Sequence, residues 1–321
     1  MKVLLAGASG AIGRRLIPLL VQAGHSVAGT TRTAGKAALI RSLGAEPVVM
    51  DALDASAVMA AVDAHRPEVM IHELTAIPSH LNFRKFGQEF DMTNRLRTQG
   101  TDNLLAAAHA SGVRRFVAQS YAGWPYARQG GPVKSEEDLL DMHPPAGLKS
   151  SLKAIRYLEH AVMAAWPIEG VVLRYGSFYG PGTSLGDGGA SLSEVRRRRY
   201  PIVGSGKGVW SFIHIDDAAR ATLAAIDHGI PGIYNIVDDE PATVAEWLPA
   251  LAAAIGAAPP RHVPSLVGRL AVGKHGVVMM TEIRGASNAK AKREMGWSPE
   301  WPTWRQGFRE GLNDKPVSAV A

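Results

Sequence analysis

Short apolar runs of strand length alternate along this chain with stretches of helical periodicity. Val3-Leu4-Leu5-Ala6 is the first such run, and Leu16, Ile17, Leu19 and Leu20 follow it on one helical face. Ser26–Thr30 reads as a second strand and Glu46–Met50 as a third, ending at Asp51. A helix is predicted from about Ser56 to Ala64, a fourth strand at Val69–His72, and a long helix from about Phe83 to Ser111. Arg115–Ser120 reads as a fifth strand, Gly147–Ala165 as a helix and Val171–Tyr175 as a sixth strand. This alternation predicts an α/β fold: a doubly wound parallel Rossmann sheet with helices on both faces. From Gly180 the texture turns to Gly, Pro and Ser. Strand character returns at Trp210–Ile215, helix at Asp216–Asp227, strand at Gly232–Val237 and helix at about Val244–Ile255. The expected organisation is therefore a sheet domain over 1–175, to which 212–238 cross back, and a smaller C-terminal substrate lobe made of 176–211 and 239–321.

The turn after the first strand carries the most chemistry. Gly7, Gly10 and Gly13 are spaced G-x-x-G-x-x-G between a strand and a helix, with Ser9, Ala11 and Ile12 among them. A tight turn at Gly7, close backbone approach at Gly10 and close packing at Gly13 suit a pyrophosphate resting on the N–H groups of the new helix. After the second strand come Thr31 and Arg32, with Lys36 nearby. An acid there would bind ribose hydroxyls, whereas an arginine accommodates a 2′-phosphate. The expected cofactor is thus NADP, with NAD less favoured. In such sheets ligands sit beyond the carboxyl ends of the strands, so Asp51, Leu74-Thr75, Ser120-Tyr121 and Tyr175-Gly176 are expected to line one crevice.

Composition narrows the field. The chain has 321 residues, is 46% hydrophobic and carries a net charge of +6, which suits an anionic cofactor or substrate. It contains no cysteine, so disulfides, thiolate nucleophiles and thiolate metal sites are excluded. The eleven histidines show no ligand spacing, and no metal is expected. No apolar run is long enough to span a bilayer, and no charged segment followed by an apolar one precedes the first strand. The expectation is a cytoplasmic protein with a small-molecule substrate, no membrane or nucleic-acid partner, and a homodimer as one possible assembly. The run Arg196–Arg199 reads as a solvated helix face rather than a nucleic-acid site.

Several stretches together resemble the extended short-chain dehydrogenase/reductase family, the NAD(P)-dependent epimerases and dehydratases. They are GASGAIG (Gly7–Gly13), MDALD (Met50–Asp54), Val69–His72, GTDNLL (Gly100–Leu105), RRFVAQS (Arg114–Ser120), LRYGSFYGPG (Leu173–Gly182), FIHIDDAA (Phe212–Ala219) and KAKREMGWSPE (Lys290–Glu300). The resemblance implies that Gly7, Gly10, Ala11 and Ile12 line the pyrophosphate and that Asp51 and Ala52 flank the adenine. It further implies that Leu74 and Thr75 border the nicotinamide ribose, with Tyr175 and Gly176 near the nicotinamide. Asp216 is expected to cap the helix that follows it.

The departures from that family are chemical. Its Tyr-x-x-x-Lys pair, acid/base and ribose-holding cation, occurs nowhere in the chain. Aligned on Glu159, Ser151 and Ile155 occupy those positions. Tyr121 and Ser120, at the end of the fifth strand, are the candidate catalytic residues; Tyr121 falls where the family's catalytic hydroxyl lies, and Lys149 is a candidate cation for it. Trp210-Ser211 stands where nucleotide-sugar epimerases carry Arg-Asp, whose arginine binds the substrate diphosphate, and this favours an apolar substrate face. The family's asparagine three residues before the Gly-Thr is Arg97 here, with Asn94 one turn upstream. The expected function is an NAD(P)-dependent oxidoreductase acting on a small, partly apolar carbonyl or alcohol. An epimerase or dehydratase, and a non-catalytic NADP-binding sensor or scaffold, are the alternatives.

Overall fold

The computed structural model describes residues 1–314. Seven strands form one parallel sheet: β1 (Lys2–Ala6), β2 (Ser26–Thr31), β3 (Glu46–Val49), β4 (Val69–His72), β5 (Arg115–Tyr121), β6 (Glu169–Tyr175) and β7 (Gly232–Ile236). Their order is β7-β6-β5-β4-β1-β2-β3. The chain builds outward from β1 to β3 and then returns to lay β4 on the other side of β1. The connections leaving β1 and β4 therefore run to opposite sides, to β2 and to β5, which makes the carboxyl end of this paired couple a topological switch point, the place where such sheets bind ligands.

Strand alternation sends side chains to two helical layers. Val3, Leu5, Ile71, Val117 and Leu173 pack with Leu16, Ile17 and Leu20 of α1 (Ala11–Gln22) on one face. Leu4, Ala6, Met70, Phe116 and Val172 face the other layer. That layer holds Val58 and Val62 of α2 (Ala55–His65), Leu104 and Ala108 of α3 (91–110), and Leu158 and Val162 of α4 (Lys149–Met163). Helix α5 (Ile215–Asp227) returns the chain to the α1 face and leads into β7. A separate hydrophobic cluster gathers around Trp247, Phe212, Trp304 and Phe308, with α6 (Val244–Ala254) and α7 (Ser265–Thr281).

Three expectations are corrected. The helix predicted over Phe83–Ser111 is broken: short turns at Phe83–Lys85 and Phe86–Glu89 precede a continuous run from Asp91. Phe86 and Phe90 stack at 4.3 Å there, so their spacing serves an aromatic contact as well as helical periodicity. The run itself contains a π-bulge at Leu96–Gly100. Secondly, Trp210–Ile215 does not form one strand of the sheet. Phe212–His214 pairs with Ser177–Tyr179 instead, and Val209–Trp210 with Ala242–Thr243. Thirdly, Asp216 is not the cap of α5. His214 is, its Nδ1 accepting from the Asp216 backbone N–H at 3.2 Å.

Candidate functional site

The crevice at the switch point is built from backbone. Gly7 has φ +100°, and a Cβ there would lie 2.7 Å from the Glu73 carbonyl oxygen at the end of β4. Only glycine lets the two strand ends approach this closely. Gly13 packs its Cα against the Gly7 and Ala8 carbonyls, leaving no room for a side chain. Gly10 is exposed and extended at the head of α1, which has neither a side-chain cap nor an acid in its first turn. Its free N–H groups are a ready anion site. The cradle therefore fits a dinucleotide pyrophosphate. Ser9 and Ala11 are half-buried beside it, while Ile12 turns into the core.

The other predicted positions lie along the same carboxyl edge. Arg32 follows β2, exposed, and like Lys36 its side chain makes no hydrogen bond or ion pair among the described residues. Thr31 is buried, its Oγ1 receiving the Thr33 N–H at 3.3 Å. Asp51 and Ala52 form the loop after β3. Asn103 and Gln99 of α3 pin that loop by donating to the Ala52 and Leu53 carbonyls at 2.9 and 2.8 Å. Leu74 is half-buried and Thr75 exposed beyond β4. Their loop is anchored by His72, whose Nδ1 accepts from the Leu74 N–H at 3.3 Å. The opposite nitrogen, Nε2, lies 3.1 Å from Thr101 Oγ1. Burial pushes the His72 pKa down to about 4, so the ring is neutral. Gly176 is wedged between backbones, 3.0 Å from the Ile236 carbonyl oxygen.

Tyr175 is fully buried, and its hydroxyl reveals a residue absent from the expected set. It donates to Glu73 Oε1 at 3.0 Å and lies 2.6 Å from Thr222 Oγ1. Glu73 is 5% exposed, and its second oxygen has no partner. Burial pushes its pKa up to about 8, so the carboxyl is protonated at neutral pH. A neutral acid beneath Gly7 avoids setting a negative charge against a cofactor phosphate. The available signal was an acid between the strand Val69–His72 and Leu74-Thr75, the pair that the crevice argument already used.

At the end of β5, Ser120 and Tyr121 face different surroundings. Ser120 is buried and donates to Glu159 Oε1 at 2.7 Å. Arg174 clamps the same carboxylate with two bonds, at 2.7 and 2.6 Å, and continues to Tyr126 Oη at 3.0 Å. Tyr121 Oη lies 3.0 Å from Ser177 Oγ, and burial pushes its pKa up. The expected cation, Lys149, is exposed at the first position of α4 and makes no side-chain hydrogen bond or ion pair among the described residues. At neutral pH Tyr121 is thus a neutral hydroxyl with no cation to lower its pKa. Ser151, Ile155 and Glu159 occupy successive turns of α4. Ser151 Oγ accepts from Asn94 Nδ2 at 3.3 Å. Lys153 and Tyr157 also stand four apart on α4, in the order opposite to the family's pair, but they form no acid/base site, because Tyr157 is half out in solvent and donates to Asp102 at 2.7 Å.

Ile155 belongs to an apolar wall with Phe86, Phe90, Trp124 and Met279, against which Tyr121 and Trp210 pack. Tyr121 and Trp124 lie 6.3 Å apart between ring centroids, and the Trp210 indole N–H donates to the Met279 carbonyl at 2.9 Å. The fold thus gathers Tyr121, Ile155 and Trp210, distant in sequence, into one surface.

Comparison with known proteins agrees with this geometry. The family model of the NAD dependent epimerase/dehydratase family matches residues 3–237. A 3-diazoavenalumate denitrifying reductase of Streptomyces sp is 42% identical over 309 residues, 96% of this chain and 99% of that protein. A 2-alkyl-3-oxoalkanoate reductase of Stenotrophomonas maltophilia is 30% identical, covering 80% of this chain and 76% of that one. Among solved structures, UDP-glucose 4-epimerase of Thermotoga maritima with UDP-glucose superposes with TM-score 0.76 at 22% identity, over 97% of both chains. The Thermus thermophilus UDP-glucose 4-epimerase in complex with NAD gives 0.73 at 23% identity, over 97% of this chain and 98% of that one. With the glycine cradle at the switch point and a family match running from β1 through β7, the chain belongs to the NAD-dependent epimerase/dehydratase family.

Proposed function

We propose that the protein is an NADP-dependent reductase of a small, partly apolar substrate. The observation that carries this is the meeting, at one sheet edge, of the glycine cradle with the aromatic wall of Tyr121, Trp124 and Trp210. When bound, the nicotinamide supplies hydride chemistry. The chain's own residues bind and orient: the head of α1 takes the pyrophosphate, and Asp51, Ala52, Leu74 and Thr75 flank the nucleosides. Tyr175 and Gly176 shape the floor, while the wall excludes water from the substrate. Tyr121 is the substrate's hydrogen-bond donor, and Ser120 holds Glu159. The exposed, unengaged Arg32 and Lys36 support NADP over NAD. Titrating both cofactors into the parent and Arg32→Ala tests this. NADP affinity is expected to fall roughly 10- to 150-fold, and NAD affinity to hold. Equal losses would show that Arg32 does not read the 2′-phosphate.

A second reading concerns the substrate's reacting group, and the 42% identical denitrifying reductase favours it. Reducing a ketone requires a proton for the resulting alkoxide. Reducing a diazonium carbon does not: a C–H bond forms from the hydride pair, the C–N bond breaks, and dinitrogen leaves with its electrons. A site with Ile155 in place of a lysine, and a tyrosine whose pKa is pushed up, suits the second reaction better. The parent should consume NADPH with an arenediazonium carboxylate and release nitrogen. Consumption with a carbonyl panel alone would return the substrate to the carbonyl class. Epimerisation without net consumption would replace the reductase reading.

A further inference from the structure

The seam between α3 and α4 holds a cation that no described residue answers. Arg97 lies in the π-bulge of α3 and is 6% exposed. Its guanidinium makes no hydrogen bond or ion pair among the described residues, and its Nη1 is buried with no partner. The acid whose charge it feels, Glu159, is already committed to Arg174 and Ser120. The nearby His72 is neutral. Burying an unpaired guanidinium is costly, and a bound anion or hydroxyl that accepts from it would offset that cost. Bulges of this kind recur at functional sites.

A second open atom adjoins it. Asn94 lies one turn upstream on the same face of α3 and donates to Ser151, but its Oδ1 is buried with no partner. An open donor and an open acceptor, three residues apart, match a ligand hydroxyl, which both accepts and donates. Ser151 and Glu159 flank Ile155 by one turn on each side of α4, so the residue that Asn94 bonds and the acid whose charge Arg97 feels bracket Ile155.

We propose that Arg97, with Asn94 beside it, holds the ribose hydroxyls at the nicotinamide end of the cofactor, supplying from α3 the cation that α4 lacks at Ile155. The proposal rests on the reading of this groove as a nicotinamide dinucleotide site. Arg97→Met removes the charge and keeps the volume. The protein should melt no lower than the parent, because an unpaired buried charge has gone. NADPH affinity, followed by nucleotide fluorescence, should fall roughly tenfold to 100-fold. Affinity for adenosine 2′,5′-bisphosphate, which lacks the nicotinamide ribose, should hold. Arg97→Met combined with Ile155→Lys should recover part of the NADPH affinity, a rescue that a purely structural arginine would not give. If Arg97→Met fails to fold, Arg97→Lys is read instead, and should lose affinity at the nicotinamide end only. Parent-like NADPH affinity in folded Arg97→Met overturns the proposal, as do equal losses for NADPH and the bisphosphate. A parent that binds neither nucleotide overturns the dinucleotide reading itself.

Discussion

At the scale of single residues, Glu73 sets the clearest expectation. Its folded-state pKa is raised, from an ordinary 4.5 to about 8. Below pH 4.5 both folded and unfolded chains carry the proton and Glu73 leaves stability unchanged. Between 4.5 and 8 only the folded chain keeps it, so stability falls as pH rises, and above 8 the full cost of burying the charge is present. That cost is a few kcal/mol at most by order of magnitude. Urea unfolding of Glu73→Gln at pH 5, 7 and 9 should lack this fall, leaving the variant the more stable protein at pH 9. Parallel curves for the two proteins would mean that Glu73 is solvated. Tyr121→Phe removes one hydroxyl and its contact with Ser177, so folding and cofactor affinity should survive. If a ketone is the substrate, turnover should drop by about 10²- to 10⁴-fold; for a diazonium substrate it should scarcely change. Both positions stood in the sequence, but only Tyr121 was legible there, because a family position pointed to it. Glu73 acquires its character from burial against Tyr175 and Gly7, residues far away along the chain.

At the scale of elements, the strand–turn–helix at β1 and α1 separates two kinds of glycine. Gly10 is exposed, and a Cβ there would stand 3.1 Å from the Gly7 carbonyl oxygen. Gly10→Val should keep the fold and lose cofactor affinity, because the added side chain occupies the pyrophosphate's approach. At Gly13 a Cβ would press on the Gly7 carbonyl and stand 2.6 Å from the Ala8 oxygen. Gly13→Ala should therefore cost stability, about 1–3 kcal/mol by analogy with overpacked cores. Thermal melts and NADPH titration of the two variants check the contrast. A Gly10→Val protein that binds normally would remove the cradle from the site. These elements were legible because periodicity and glycine spacing are local signals. The π-bulge was not. It is a one-residue shift of hydrogen-bond register inside a helix whose side-chain pattern still reads as helical.

At the scale of the whole molecule, a buried acid is one of the ties between the C-terminal segment and α5, beside contacts such as the Asn288 amide donating to the Val237 carbonyl at 2.8 Å. Asp217 on α5 accepts the Glu300 and Trp301 N–H groups at 2.8 and 2.9 Å and pairs with Arg220 at 2.5 Å. Asp217→Ala leaves two backbone donors and an arginine without their partner, and should cost about 3–5 kcal/mol. The urea midpoint would report this, and a loss under about 1 kcal/mol would show that the lobe holds without it. The parallel α/β sheet and the glycine turn of the cradle were legible in the sequence, since both follow from alternation, apolar runs and glycine spacing within some thirty residues, the span of a βαβ unit; the strand order, and with it the switch point, came only with the fold. The apolar wall beside the cradle was decided only by tertiary structure. Tyr121 on β5, Ile155 on α4, Trp210 before Phe212–His214 and Met279 on α7 meet in one wall. Their separation along the chain leaves no periodic trace. The same holds for the protonated Glu73 and for Arg97, whose guanidinium has no hydrogen-bond or ion-pair partner among the described residues. Charge and protonation follow from what surrounds a group, and those neighbours come from other elements of the fold.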